Sequence, residues 1–148
     1  MRPVRTLVLV ANDREARVLE NEGVGKGLHQ LGQVNRDAAL DLGGGQADQR
    51  GRSQAGPGMA RHGMEPATDE EAVNRARFAA ALAEMVAGDL ALGGHDRLIV
   101  CAPPKMLGAL REALSAETRA KLSADLPKDL VHTPLADLPK HFDGIAAF

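Results

Sequence analysis

Apolar positions fall into short runs near the start of the chain, then vanish, then return at helical spacing. Thr6 to Ala11 is an unbroken β-branched and aliphatic run, which predicts a strand. Asn12-Asp13 carries turn chemistry, and Ala16-Arg17-Val18-Leu19-Glu20 resumes an extended pattern, so a hairpin is expected. Gly23-Val24-Gly25-Lys26-Gly27 marks the next turn, and Leu28 to Val34 alternates imperfectly as a third strand. Residues 36–67 hold seven glycines, with Pro57 and Pro66, and show no apolar period. A structureless segment of that length is uncommon inside a domain and is usually functional or disordered. It is expected to be a long, mobile, Gly- and Arg-rich loop.

A long helix is predicted after it. Thr68 reads as the N-cap and Glu71 completes a capping box, with Asp69, Glu70 and Glu71 at the positive end of the helix dipole. Phe78, Ala79, Leu82, Val86 and Leu90 form one buried stripe, and Gly93-Gly94 ends the helix. Leu98-Ile99-Val100-Cys101-Ala102 is continuously apolar, the mark of a strand covered on both faces. Pro103-Pro104 stops it and opens a helix with Leu107, Leu110 and Leu114 on its apolar face. Ser115 caps a short helix to about Leu122. Ala124 to Leu130 reads as a last strand, which Pro127 confines to an edge or a bulge. Thr133 and Pro134 open a final helix that turns Leu135, Leu138 and Phe142 inward and that Pro139 shortens or kinks. The expected order is βββ, long loop, αβααβα: a single α/β domain with a mixed sheet flanked by helices and no internal repeat.

Composition narrows the function classes. The 148 residues are enough for one domain with a real core. There is no Trp or Tyr and there are three Phe, which argues against a stacking platform for single-stranded nucleic acid. Eighteen Lys and Arg against twenty Asp and Glu give a net charge of −2, so any phosphate contact must come from a local patch. Cys101 is the single cysteine, which excludes an intrachain disulfide and a cysteine-based zinc site. The apolar run near Met1 is too short for a signal peptide, and no run approaches a membrane span. A cytoplasmic protein without a membrane contact is expected.

Several segments together resemble the bacterial host attachment protein family. They are Leu7-Val8-Leu9-Val10-Ala11 with Arg14-Glu15-Ala16-Arg17-Val18, then Gly51-Arg52-Ser53, Arg61-His62, and Pro66 with Asp69. The most specific is Arg97-Leu98-Ile99-Val100-Cys101-Ala102-Pro103-Pro104-Lys105-Met106-Leu107-Gly108-Ala109-Leu110-Arg111, and Lys128-Asp129-Leu130 closes the pattern. That family is similar in fold to the central domain of archaeal and eukaryotic class I release factors, which is ribonuclease H-like. The resemblance implies an RNA- or ribosome-associated factor that releases or rescues peptidyl-tRNA. The family name implies instead a role in attachment to host cells, exerted indirectly by a protein-binding module that is not an enzyme.

Gly44-Gly45-Gln46 is the feature that the release-factor likeness makes catalytic. In those factors a Gly-Gly-Gln tripeptide lies between the third strand and the long helix, the slot it occupies here, though Gln46 stands farther from the helix than their pattern has it. Two glycines open backbone shapes closed to other residues, and the glutamine orients a water or stabilises the developing oxyanion. Arg50, Arg52, Arg61 and His62 add a second feature: residues 49–64 contain three Arg and no acid. With Lys105 they are the candidate phosphate contacts, since Arg offers bidentate geometry to phosphate. Ribosome or tRNA, or a protein partner docking on residues 36–67, are the partners these features fit.

Other motifs read as structure. Gly23-x-Gly25-x-Gly27 has no helix after it and lacks the last glycine of the dinucleotide fingerprint, so it reads as a hairpin turn. Cys101 lies in the most apolar strand and reads as inert packing. The five histidines show no metal-ligand spacing. Asp13 follows the first strand, where nucleases of this fold place a carboxylate, but without partners it reads as the turn. No cofactor or metal is implied.

Overall fold

Residues 3–41 and 66–148 are described by a computed structural model, and a five-stranded mixed sheet organises them. Its order is β3-β2-β1-β4-β5. β1 (Thr6–Ala11) and β4 (Arg97–Cys101) are the two continuous apolar runs, and they lie side by side and parallel at the centre. There both faces of a strand are covered, which is why these runs do not alternate. β2 (Glu15–Asn21) returns antiparallel to β1 through a turn in which Asn12 Oδ1 accepts from the Arg14 and Glu15 amides at 2.8 and 2.9 Å. β3 (His29–Asn35) is antiparallel to β2 and forms one edge. β5 (Leu122–Leu126) is parallel to β4 and forms the other.

The two faces of the sheet are covered differently. Leu7, Leu9, Val18, Leu98 and Val100 pack under the long helix α2 (Pro66–Gly93) and under α3 (Pro104–Ala113). The predicted stripe of α2, from Phe78 to Leu90, is buried there. Val8, Val10, Leu19, Ile99 and Cys101 face the other way. No α-helix among the described residues covers them. A strap runs across them that contains Leu130, Val131 and the 3₁₀ helix Leu135–Phe142. α4 (Ala116–Lys121) links α3 to β5, and its cap is as expected: Ser115 Oγ accepts from the Thr118 amide at 3.2 Å.

At the amino ends of β1 and β4 a polar cluster ties α2 to the sheet. Glu20 accepts from His95 Nε2 at 2.8 Å and from Arg5 at 3.1 Å, while His95 Nδ1 is buried with no partner among the described residues. Arg5 also donates to the Gly93 carbonyl. A Cβ at Gly93 would overlap the His95 ring, so glycine is required where the helix ends.

Five expectations are corrected. Residues 36–41 are not loop: they form α1 (Arg36–Asp41), capped by Asn35, whose Oδ1 accepts from the Ala38 amide at 2.8 Å. The long helix starts at Pro66 and not after Thr68, since proline needs no donor in the first turn. The last strand is Leu122–Leu126 and not Ala124 to Leu130, because α4 passes directly into it and Pro127 ends it. The final helix is 3₁₀ in type, as expected where Pro139 removes a donor from its interior. Pro134, not Thr133, is its N-cap residue, and no side chain caps it.

Candidate nucleic-acid interface

β1, β3, β4 and β5 all run in one direction, and only β2 runs against them. Their carboxyl ends therefore share one edge of the sheet. In open α/β sheets ligands bind outside that edge. Each of the four strands is followed within four residues by a cation: Arg14 after β1, Arg36 after β3, Lys105 after β4 and Lys128 after β5. Arg14, Lys105 and Lys128 are exposed and make no ion pair among the described residues. Arg36 is half-buried and donates to the Asp13 carbonyl at 3.4 Å. Arg14, Glu15, Asn35, Arg36 and Asp37 line a polar cleft of about 230 Å³.

Three acids of this edge have partners, while Asp37 is exposed and makes no ion pair among the described residues. Asp13 pairs with Arg75 of α2 at 3.1 Å. Asp129 accepts from Asn12 Nδ2 and from the Val131 amide, both at 3.2 Å. Glu15 meets His132 at 3.1 Å. Arg14, Lys105 and Lys128 are thus exposed and in no ion pair among the described residues, an arrangement that suits a phosphate backbone. The Asp13–Arg75 pair also marks where α2 passes the edge. The residues before Arg75, ~13 Å of helix at 1.5 Å per residue, run beyond it. From Glu70 to Arg77 none of their side chains is buried.

Of the residues singled out in the sequence, Lys105 lies at this edge, in the first turn of α3. Gly44, Gly45, Gln46, Arg50, Arg52, Arg61 and His62 lie outside the described residues. Arg14, Arg36 and Lys128 were not singled out as contacts. For Arg14 and Arg36 the signal available is position alone, a cation soon after a predicted strand, whereas Lys128 falls inside the segment that reads as the last strand.

The features read as structure behave as such. Asp13 sits in the β1–β2 turn. Gly25 and Gly27 have positive φ, and their amides donate to the Phe148 carbonyl at 3.0 and 2.9 Å. The Gly-rich turn thus anchors Phe148 at the opposite edge of the sheet. Cys101 is fully buried and its thiol donates to the Lys128 carbonyl at 3.3 Å. Burial pushes that thiol up to about 12. A thiol-directed reagent at pH 8 is therefore expected to leave the native protein unlabelled and to label one thiol after unfolding, read by mass spectrometry. The unfolded thiol ionises near its usual value of 9.0 and the folded one only near 12, so this group lowers stability as pH rises across that window.

None of the described helices is long and apolar enough to cross a membrane. No curated protein matches the sequence. A family described as Bacterial archaeo-eukaryotic release factor family 12 matches over residues 5–142. The host-attachment designation is no part of that match. The single-domain α/β fold, with its five-stranded mixed sheet between helices and strap, is consistent with a release-factor-like fold. The chain belongs to the bacterial archaeo-eukaryotic release factor family 12.

Proposed function

We propose that the protein acts in translation as an RNA- or ribosome-associated factor, with hydrolysis of the peptidyl-tRNA ester as its reaction. The observation that carries the reading is the cation following each of the four strands at one edge of a release-factor-family sheet. On this reading Arg14, Lys105 and Lys128 hold phosphates, joined by Arg50, Arg52, Arg61 and His62. Gly44 and Gly45 let a backbone amide approach the ester carbonyl, and Gln46 orients the attacking water.

The test has two arms. The protein should pellet with ribosomes at low salt and be released as salt rises. Reversing Arg14, Lys105 and Lys128 to glutamate should flatten the salt slope by about three, one per lost phosphate contact. Gln46→Ala should slow peptidyl-tRNA hydrolysis about 10²–10³-fold while pelleting persists. Hydrolysis unchanged in that variant removes Gln46 from the mechanism, and absence of pelleting removes the ribosome. The uncharged edge strand β3 favours a second reading, a protein-binding module with an indirect role in attachment to host cells. Cell fractionation that finds the protein at the surface and not with ribosomes would select it.

A further inference from the structure

β3 is an edge strand, and its seven residues hold no Lys, Arg, Asp, Glu or Pro. Sheet edges usually carry such residues, which repel a further strand. The opposite edge does: β5 holds Asp125, paired with Arg111 at 2.8 Å, and Pro127 follows directly. Pairing with β2 passes from Val18↔Gly32 to Leu19↔Gln30, so Leu31 bulges out, 51% exposed. The bulge interrupts the edge at that point, and regular backbone runs from Gly32 to Asn35.

The face toward α2 has a hole beside this stretch. Ala16 and Val18 face α2, and their partners across the ladder are Val34 and Gly32. Gly32 supplies no side chain, and a cleft of about 250 Å³ opens over Val18, lined also by Leu31, Met85 and Asp89. A Cβ at Gly32 would meet nothing within 4 Å, and Gly32 is not among the glycines with positive φ. Neither backbone geometry nor crowding requires glycine there, and a β-branched residue would suit the strand better. A position that breaks a local rule without a structural reason is where function is expected.

Asp89 gives the cleft its chemistry. Its carboxylate makes no ion pair among the described residues. Burial raises its pKa and the nearby His95 works against that rise. A cation entering the cleft would offset the burial.

We propose that this cleft and the edge of β3, with which no described strand pairs, bind an extended peptide segment, which adds as a strand beside Gly32–Asn35 and lays a lysine or arginine side chain against Asp89. Main-chain hydrogen bonds supply affinity and the one side chain supplies selection. The aliphatic stem lies over Val18 and Met85 while the charged end meets the carboxylate. The inference rests on the fold alone, so the failure of either functional reading leaves it standing.

The test is amide NMR of the full chain titrated with a capped heptapeptide of alternating valine and threonine about a central lysine. Saturable shifts confined to residues 32–35 and 85–89 are expected. Asp89→Asn should weaken binding about fivefold, the upper range for one partly exposed ion pair. Gly32→Leu should abolish binding with the spectrum otherwise native, and a peptide with glutamate in place of lysine should not bind. The proposal is overturned by the absence of saturable shifts, by a folded Gly32→Leu variant that binds as the parent does, or by equal binding of the glutamate peptide. It is also overturned if residues 32–35 shift with protein concentration alone, which would assign the edge to a second copy of the chain.

Discussion

Replacing Phe142 with alanine is expected to lower the unfolding free energy by about 3–5 kcal/mol. The ring is fully buried, among Val8, Val10, Ile99, Cys101 and Leu138 on the face that α2 and α3 do not cover. It also meets Phe148 edge-on, with ring centroids 5.4 Å apart. The chain has three Phe and neither Trp nor Tyr, so this ring is one of its few large core side chains. The strap that carries it is one 3₁₀ helix between irregular segments, with fewer internal hydrogen bonds to hold its place than an α-helix has. Urea denaturation should show a lower midpoint with an unchanged slope. A loss under about 1 kcal/mol would mean that the strap does not pack on the sheet as described.

Arg17→Met should destabilise by about 2–4 kcal/mol, from the other end of the same strap. Arg17 is 9% exposed, and its Nη1 donates to the Val131 carbonyl at 3.0 Å and the Thr133 carbonyl at 2.7 Å. Nε donates to Gln30 Oε1 at 2.9 Å. No carboxylate among the described residues pairs with it, and burial lowers its pKa, although an arginine stays charged at any working pH. Methionine keeps much of the apolar stem and removes the donors. Two carbonyls are then left without a partner, each about 1–3 kcal/mol if water does not reach them. Hydrogen exchange of residues 130–134 should quicken well before that of β1. Because both side chains hold one segment, the double variant should lose less than the two losses added. Full additivity would mean that the two ends of the strap are held independently.

These dependencies explain which parts of the fold could be read from the residues. β1 and β4 are legible because a central parallel strand must be apolar on both faces. The stripe of α2 is legible because one helix face carries most of its burial. α1 has no such stripe; its one local sign is Asn35, which caps it. The residue pattern places β5 too late because nothing in composition separates the end of α4 from a strand that begins at once. The strap reads as a helix from Leu135, Leu138 and Phe142, and Pro139 makes it 3₁₀. At the carboxyl edge Lys105 could be named from its segment. Arg14, Arg36 and Lys128 could not, since they come together only through strand direction, a long-range property. Gly44-Gly45-Gln46 and the arginines after it were legible as a motif, and they lie outside the described residues.

The late position of the strap has a consequence for synthesis. β1, β2 and β4 are complete once Cys101 has been added, yet the side chains of Val8, Val10, Leu19 and Ile99 wait for Phe142. At ordinary elongation rates that interval is roughly 2 to 8 s, long compared with hairpin formation. Early in that time α3 closes the face under α2, at Leu114, while the other face stays greasy and open. A slow codon run or a truncation between these points would prolong the exposure, and aggregation, not lost activity, would be its first sign.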